Sequence, residues 1–208
     1  MSFSDSEFSD EEEFDLPQEK VNEELAACKA ILESGYVYDS VERIEELIQV
    51  CIDIDRFEDA LFVLEKFLEI FPYNSEYWFK KGIVLNGLFR FNDALIAYDQ
   101  SLSLNPNDIE TLIDKSATEE NLGLYDNAQE SLEKVLQLDP ENDDALFSLG
   151  LLYQHRANLM KAIEYFLKVA ARDPEYSEVY YELGFCYENS AQLDKALESY
   201  DKFLELDP

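Results

Sequence analysis

The residues of this chain that could carry nucleophilic or metal chemistry are one histidine and three cysteines. Cys28, Cys51 and Cys186 are scattered along the sequence, and His155 is the only histidine. A Cys186–His155 nucleophile pair would need the base within hydrogen-bond reach of the thiol, but Cys186 lies in an apolar stretch that should point into the core. Zinc sites need clustered ligands, and dispersed cysteines imply no disulfide framework. We therefore predict a reducing compartment, no metal and no cofactor.

The acidic run at residues 139–144, DPENDD, comes nearest to a cation-binding motif. Calcium loops need a central glycine and a terminal glutamate, and this run has neither. A turn between two helices explains the run fully, because Asp, Asn and Pro favour turns. The sequence also contains no glycine-rich loop of the kind that cradles phosphates. Without a nucleophile, metal or phosphate site, the sequence predicts a protein that is not an enzyme.

The sequence repeats with a period of 34 residues. Five prolines recur at this spacing: Pro72, Pro106, Pro140, Pro174 and Pro208. Five alanines precede them by twelve residues: Ala60, Ala94, Ala128, Ala162 and Ala196. Such a period indicates one supersecondary unit stacked many times. We number the units repeat 1 (41–74), repeat 2 (75–108), repeat 3 (109–142), repeat 4 (143–176) and repeat 5 (177–208).

Within each repeat, apolar residues recur at steps of three and four, which predicts two amphipathic helices. Small residues allow two helices to cross closely, so we expect glycines of the first helix to face the alanines of the second. These glycines are Gly82, Gly150 and Gly184. The proline ends the second helix because it has no N–H. The residues expected to cap the following first helices are Ser75, Asp143 and Ser177.

This combination of period, small residues, aromatics and proline closely resembles the tetratricopeptide repeat (TPR). The resemblance covers 168 of 208 residues, from Val41 to Pro208. It implies an all-α fold, a right-handed α-solenoid of stacked helix-turn-helix repeats. Repeat 3 departs most from the pattern, because Ser116 replaces the usual glycine while Lys115 and Glu119 take apolar places. We therefore expect looser packing near residues 112–120.

Two segments precede the repeats. Residues 1–16 contain seven acids and no base, with three phenylalanines spaced among them. We expect this segment to be a disordered acidic tail, which either solubilises the chain or docks onto a partner. Residues 17–40 are expected to form a degenerate N-terminal helix or cap, with the helix over 18–34. Its role would be to cover the apolar face of repeat 1, because the end of a repeat array must be capped.

The charge of the chain excludes several classes of partner. The formal net charge is −31, with 47 acidic against 16 basic residues and a pI near 4.1. Nucleic acids require a basic surface and anionic membranes attract one, so we expect neither as a partner. The charge either attracts a basic partner or simply keeps the surface solvated. No signal peptide or membrane-spanning run is visible, which predicts a cytoplasmic protein.

The resemblance implies where a ligand would bind. In TPR proteins the first helices line the concave groove, and the second, fifth, ninth, twelfth and thirteenth places of the repeat point into it. The groove residues so implied are Glu45, Gln49, Phe79, Ile83, Asn86, Ile113, Ala117, Asn121, Phe147, Leu151, Gln154, Tyr181 and Phe185. The apolar members form a strip that either binds a partner or packs between neighbouring first helices. The carboxylate clamp of some relatives is not expected, because acids such as Glu46 and Glu182 stand nearby.

These observations favour a non-enzymatic protein–protein interaction scaffold or adaptor. Its groove is expected to bind a peptide or partner helix, amphipathic or basic in character. The alternative is a self-assembling structural array, an end-to-end or tail-in-groove oligomer. The second helix of repeat 5 carries Leu197, Tyr200, Phe203 and Leu204. Because an array needs a polar cap, we expect either that the repeats continue beyond Pro208 or that another molecule covers this end.

Overall fold

The computed structural model describes residues 18–34 and 37–207, and all regular structure in these two ranges is helical. The two ranges contain eleven α-helices: α1 (Gln18–Ser34), α2 (Val41–Asp53), α3 (Phe57–Ile70), α4 (Ser75–Gly87), α5 (Phe91–Leu104), α6 (Ile109–Asn121), α7 (Tyr125–Leu138), α8 (Asp143–His155), α9 (Leu159–Arg172), α10 (Ser177–Asn189) and α11 (Leu193–Leu206). A short 3-10 turn, Tyr38–Ser40, precedes α2. The predicted all-α class is confirmed. The predicted acidic tail lies outside the described residues.

The described residues divide into two compact parts, one that ends at Val63 and one that begins at Leu64. In the first part, α1 contacts both helices that follow it. Arg43 Nη2 donates to Glu24 Oε2 at 2.7 Å, and Arg56 Nη1 donates to Asn22 Oδ1 at 2.7 Å. The buried side chains of α1 are Val21, Leu25 and Cys28. The helix expected over 18–34 therefore buries an apolar stripe against repeat 1.

In the second part, successive helices form hairpins: α4 with α5, α6 with α7, α8 with α9 and α10 with α11. Each second helix also contacts the next first helix, so α5 packs on α6, α7 on α8 and α9 on α10. One apolar core runs through repeats 3 to 5 and includes the buried residues Leu132, Leu149, Phe166, Val179 and Leu183. The stacking follows from the amphipathic helices, because neither face of a hairpin is covered until the next hairpin packs on it.

Each hairpin turn uses one residue in the left-handed backbone region. The fifteenth place of every repeat has a positive φ: Asp55 (58°), Phe89 (57°), Gly123 (73°), Ala157 (57°) and Ala191 (60°). In repeat 2 the turn closes with Phe89 N–H donating to Asn86 O at 2.9 Å and Arg90 N–H donating to Leu85 O at 2.8 Å. These bonds satisfy carbonyls that the helix end would otherwise leave unpaired. Only repeat 3 places a glycine where the backbone favours one.

The helix ends agree with the proline period. The second helices α5, α7 and α9 end two residues before Pro106, Pro140 and Pro174. The expected capping residues were wrong by one position. Asn74 accepts hydrogen bonds from the N–H groups of Glu76 and Tyr77, and Asn142 accepts one from Ala145. Since an N-cap residue precedes the first helical residue, Ser75 and Asp143 are instead the first residues of α4 and α8. The residue before α10 is Tyr176, which makes no side-chain cap bond.

The expected pairing of glycine with alanine is also corrected by the structure. The atoms nearest to a Cβ built at Gly150 belong to the ring of Phe166, and the same holds for Gly184 and the ring of Tyr200. Gly82 meets the ring of Tyr98 in the same way. The aromatic residue four positions after the alanine therefore takes the space that the glycine leaves. The alanines are nevertheless buried, with Ala162 fully so.

Repeat 3 fills its core with polar groups. The buried polar side chains of α6 are Thr111, Ser116, Thr118 and Glu119. Ser131 Oγ donates to Glu119 Oε2 at 2.9 Å, and Lys115 Nζ lies 3.7 Å from Glu119 Oε1. Thr118 Oγ1 donates to Asn86 Oδ1 at 3.2 Å. Where looser packing was expected, the structure has a hydrogen-bonded polar core. These hydrogen bonds remove the free-energy cost of burying polar groups without partners.

Candidate binding surface

The first helices of repeats 2 to 5 contact one another and form a continuous surface, which we call the first-helix face. Helix α4 contacts α6, α6 contacts α8, and α8 contacts α10. Side chains late in each helix bridge these contacts. His155 Nδ1 lies 3.8 Å from Glu120 Oε2, and Gln154 Nε2 donates to Glu182 Oε2 at 2.8 Å. The groove residues expected in repeats 2 to 5 all lie on these four helices.

The apolar side chains of the first-helix face differ in exposure. Phe79 is only 8% exposed, and its ring centroid lies 6.2 Å from that of Tyr98, so it belongs to the core. Phe147 is half-buried. Tyr181 and Phe185 on α10 are 47% and 38% exposed. An apolar surface is therefore available chiefly on α10.

Phe147 is held by two aromatic neighbours. Its ring centroid lies 5.5 Å from that of Phe166 and 5.2 Å from that of Tyr176. Tyr181 has a comparable arrangement, 6.0 Å from Tyr200 and 5.5 Å from Phe203. Such contacts fix the orientation of a ring. Because Tyr181 combines fixed orientation with large exposure, it can receive a partner at little cost in side-chain entropy.

The remaining expected groove residues are mostly half-buried or polar. Ile83, Ile113 and Leu151 are half-buried, while Ala117 and Asn121 are exposed. Asn86 accepts the hydrogen bond from Thr118 described above. In the N-terminal part, Glu45 is half-buried, and Gln49 is exposed and donates to Asp53 Oδ1 at 2.8 Å. Gln49 also lines a cleft between α1 and α2 with an apolar floor that includes Val21, Leu47 and Ile54.

Charge is divided unequally between the two kinds of helix. Helices α6, α8 and α10 carry nine carboxylates and one lysine, Lys115. That lysine is engaged, because its Nζ lies 2.7 Å from Asp99 Oδ1. Helices α7, α9 and α11 carry eight carboxylates and six lysines and arginines. In repeats 3 to 5 the first-helix face therefore has a negative potential, with no uncommitted base among its described residues there.

Several carboxylates of α6 are partly desolvated. Burial raises the pKa of Asp114 to about 6, and repulsion from Glu110 and Asp108 adds to the rise. Burial also raises the pKa of Glu120, and His155 partly opposes that rise. Glu120 Oε1 is buried without a hydrogen-bond partner. These groups gain more from a nearby cation than fully solvated carboxylates do, because the effective dielectric is lower.

The residues considered for catalysis do not come together. Cys186 is fully buried, and burial raises its pKa to about 12, so its thiol stays protonated at neutral pH. His155 is exposed and faces Glu120. Within residues 18–34 and 37–207, no cluster of three or more His, Cys, Asp or Glu side chains is arranged to hold a metal ion. In the same residues, no helix combines the length and apolarity needed to cross a membrane.

The sequence matches two family models, both described as tetratricopeptide repeat. One matches residues 75–108 and 109–142, and the other matches 131–164 and 165–198. Together these matches span residues 75–198, which is more than half of the 208 residues. No curated protein sequence matches the chain.

Solved structures of similar fold include two of MamA and one of YrrB. MamA from residue 41 to its end, from Desulfovibrio magneticus RS-1, is 28% identical, with 81% of this chain and 96% of that chain covered and a TM-score of 0.73. A double mutant of MamA RS-1 has the same identity and TM-score, with 81% of this chain and 95% of that chain covered. YrrB, described as a TPR protein with an unusual peptide-binding site, is 19% identical and has a TM-score of 0.65, with 84% of this chain and 92% of that chain covered. At that identity, YrrB supports the fold alone.

Proposed function

We propose that this chain, which belongs to the tetratricopeptide repeat family, is a non-enzymatic scaffold or adaptor that binds a peptide or partner helix on its first-helix face. The TPR fold and its structural neighbours support the coarser statement, a protein-interaction scaffold. The finer proposal, a ligand on this particular face, rests on the surface itself. We further propose a cytoplasmic location for this scaffold.

The observation that carries the proposal is the exposure of Tyr181 and Phe185 within an acidic surface. Two large aromatic side chains on neighbouring turns of one helix, each more than a third exposed, are costly to leave in water. Contiguous apolar patches with a polar rim are typical of interaction sites, and tyrosine is enriched among the residues that dominate binding energy.

A second candidate function is self-assembly of the chain into an array. It is favoured by three exposed leucines on α11, namely Leu193, Leu197 and Leu204. Helices α9, α10 and α11 also border a cleft of about 770 Å³ that Leu167 and Leu197 line. A second copy could place an apolar side chain there. This mode would leave the first-helix face free.

Affinity capture from the source cell, followed by mass spectrometry, tests the scaffold proposal. The bait would be compared with a first-helix-face variant, Tyr181→Ser with Phe185→Ser, and with a matched control on α11, Leu193→Ser with Leu197→Ser. We choose Phe185 rather than Phe147 because Phe147 also packs against Phe166 and Tyr176. We expect the first variant to lose partners that the wild type and the control retain. An identical set of partners from all three baits would contradict the proposal.

Light scattering over a range of concentrations tests self-assembly. A mass that rises with concentration and falls to that of a monomer in the α11 variant would support the second candidate. A monomer at every concentration would exclude it. The two tests are independent, because they alter different faces of the protein.

A further inference from the structure

We propose that the ligand of the first-helix face is a cationic amphipathic segment, held by an apolar anchor on Tyr181 and Phe185 and by lysine or arginine side chains beside α6 and α8. This inference rests on the proposed function and specifies the chemistry of the partner at the same surface. Two features carry it: where the exposed apolar surface lies, and how charge is distributed among the helices.

The apolar end of this surface is α10. Tyr181 is oriented by Tyr200 and Phe203, and Phe185 lies four residues later on the same side of the helix. Within α10 the charged residues are three glutamates and no base. A leucine-like or aromatic side chain that packs on this pair therefore lies on a helix whose charged residues are all carboxylates. Glu182 accepts a hydrogen bond from Gln154, and Glu188 accepts one from Tyr200. Positive charge on the partner next to its anchor would offset the rest of the solvation that these glutamates lose.

The charged end lies where α6 meets α8. Glu120 has one oxygen buried without a hydrogen-bond partner, and its other oxygen lies 3.8 Å from the exposed His155. The exposed Asn121 follows directly, and Lys115, the only lysine of α6 and α8, is already paired with Asp99. A guanidinium or ammonium group from a partner would find carboxylates here, beside the histidine already in contact with Glu120. A partner carboxylate at the same place would be repelled.

The spacing of the two ends sets the geometry of the ligand. Packed helices lie roughly 8–10 Å apart, so α10 and α6, which are separated by α8, place the two ends about 20 Å apart. An extended segment spans that distance in about six residues, and a helical one in about thirteen. The apolar anchor and the basic cluster of the ligand should be separated accordingly.

A second copy of this chain fits the surface less well than a separate basic partner. The chain has 47 acidic and 16 basic residues, and most bases of repeats 3 to 5 already have a partner. Arg156 lies 3.0 Å from Asp126 and Arg172 lies 2.6 Å from Asp143, while Lys161 sits over the ring of Tyr153. Two molecules with a net charge of −31 each would also repel one another at low salt.

Three synthetic peptides of sixteen residues test the inference by fluorescence anisotropy. The first combines a Leu-Trp anchor with a cluster of four lysines, the second replaces those lysines by glutamates, and the third keeps the lysines but replaces the anchor by serines. We expect the first peptide to bind at least tenfold more tightly than either of the others, and its affinity to fall at least threefold between 50 and 300 mM salt. Equal binding of the first and third peptides, or of the first and second, would overturn the inference.

Variants of the protein test where the apolar anchor and the basic cluster of the ligand bind. Tyr181→Ser with Phe185→Ser should weaken the first peptide at least tenfold. Asn121→Lys, which adds a cation at an exposed position, should weaken it at least threefold and reduce the salt dependence. Ile96→Ser with Met160→Ser, at exposed apolar positions of the second helices α5 and α9, should leave binding unchanged, and circular dichroism with thermal melting confirms that each variant is folded. Equal weakening by this control would overturn the siting. If affinity capture instead yields an acidic partner that depends on Tyr181 and Phe185, the scaffold proposal stands and this inference fails.

Discussion

A methyl group added at Gly150 would lie 2.6 Å from Cδ1 of Phe166. The Phe166 ring therefore packs against the backbone of α8 in the space that a side chain at position 150 would fill. Repeats 2 and 5 have the same relationship between a first-helix glycine and an aromatic residue sixteen positions later. In repeat 3 both members change. Ser116 takes the place of the glycine, and the smaller, non-aromatic Leu132 takes the place of the ring. Glycine and ring are therefore a matched pair, and the repeat pattern constrains both together.

The change Gly150→Ala tests this pairing. Because the added methyl overlaps the Phe166 ring, the helices of repeat 4 must shift, and overpacking of this kind costs about 1–3 kcal/mol. Denaturant-induced unfolding measures the loss. The double change Gly150→Ala with Phe166→Leu imitates repeat 3 and should destabilise the protein by less than the sum of the two single changes. Additive effects would show that the two sites are not coupled.

Ala162→Leu tests the close contact of α9 with the core. Ala162 is fully buried, so a leucine there must displace its neighbours, at a cost of about 1–3 kcal/mol. Ala171→Leu is the matched control on the same helix, because Ala171 is exposed. We expect the first change to lower the melting temperature clearly and the second to alter it little. Similar melting temperatures for the two variants would mean that the buried face of α9 is assigned wrongly.

The hairpin turns predict a glycine dependence that differs between repeats. Gly123 has a φ of 73°, so Gly123→Ala should cost about 1 kcal/mol, since a left-handed conformation disfavours a Cβ. Ala157 has a φ of 57°, and Ala157→Gly relieves the same strain. The strain that is relieved is larger than the conformational entropy that glycine costs, so the net stabilisation is less than about 1 kcal/mol. Thermal unfolding should show a lower melting temperature for the first variant and a higher one for the second. The reverse order would contradict the turn geometry.

The acids of α6 predict how stability depends on pH. The pKa of Asp114 is raised to about 6 by burial, above its value of about 4 in an unfolded chain. The folded state therefore holds the proton more tightly, and this contribution to stability is lost as the pH rises through about 6. Burial raises the pKa of Glu119 and of Glu120 in the same direction. Melting temperatures should thus be higher at pH 5.5 than at pH 7.5.

Asp114→Asn isolates this effect from the general relief of charge repulsion. The amide imitates the protonated acid, so the variant should melt at a higher temperature than the wild type at pH 7.5 and respond less to pH. Asp201→Asn removes one charge at an exposed position of α11 and serves as the control. If both variants change the pH response equally, the burial of Asp114 has no part in it.

The period of the sequence was sufficient to predict the helices and the hairpins, because prolines, small residues and apolar spacing are local signals. It could not predict which residue faces the glycine. The alanine and the aromatic residue lie four positions apart on one side of the second helix, so the periodicity is the same for both. The N-caps were displaced by one residue, because an Asn next to a Ser or Asp presents two adjacent capping candidates.

The candidate site shows a similar limit. The fifth place of the repeat holds Phe79, Phe147 and Tyr181, which the pattern treats alike. The structure buries the first, half-buries the second and leaves the third 47% exposed. A ring from the twenty-fourth place of the repeat lies beside each of the three. The difference in exposure therefore comes from other neighbours, which the place within the repeat does not encode. The division of charge between first and second helices was readable from the sequence once the helix bounds were known.

Site-specific photocrosslinking tests whether the first-helix face is the surface that binds a partner. The photoreactive residue p-benzoylphenylalanine would replace Phe185 on the first-helix face in one variant and Leu197 on α11 in another, since both positions are exposed. After irradiation in an extract of the source cell, covalent adducts would be identified by mass spectrometry. We predict adducts with a partner protein from position 185 and none from position 197. Adducts from position 197 alone would contradict the account, because the first-helix face would then not be the surface that binds.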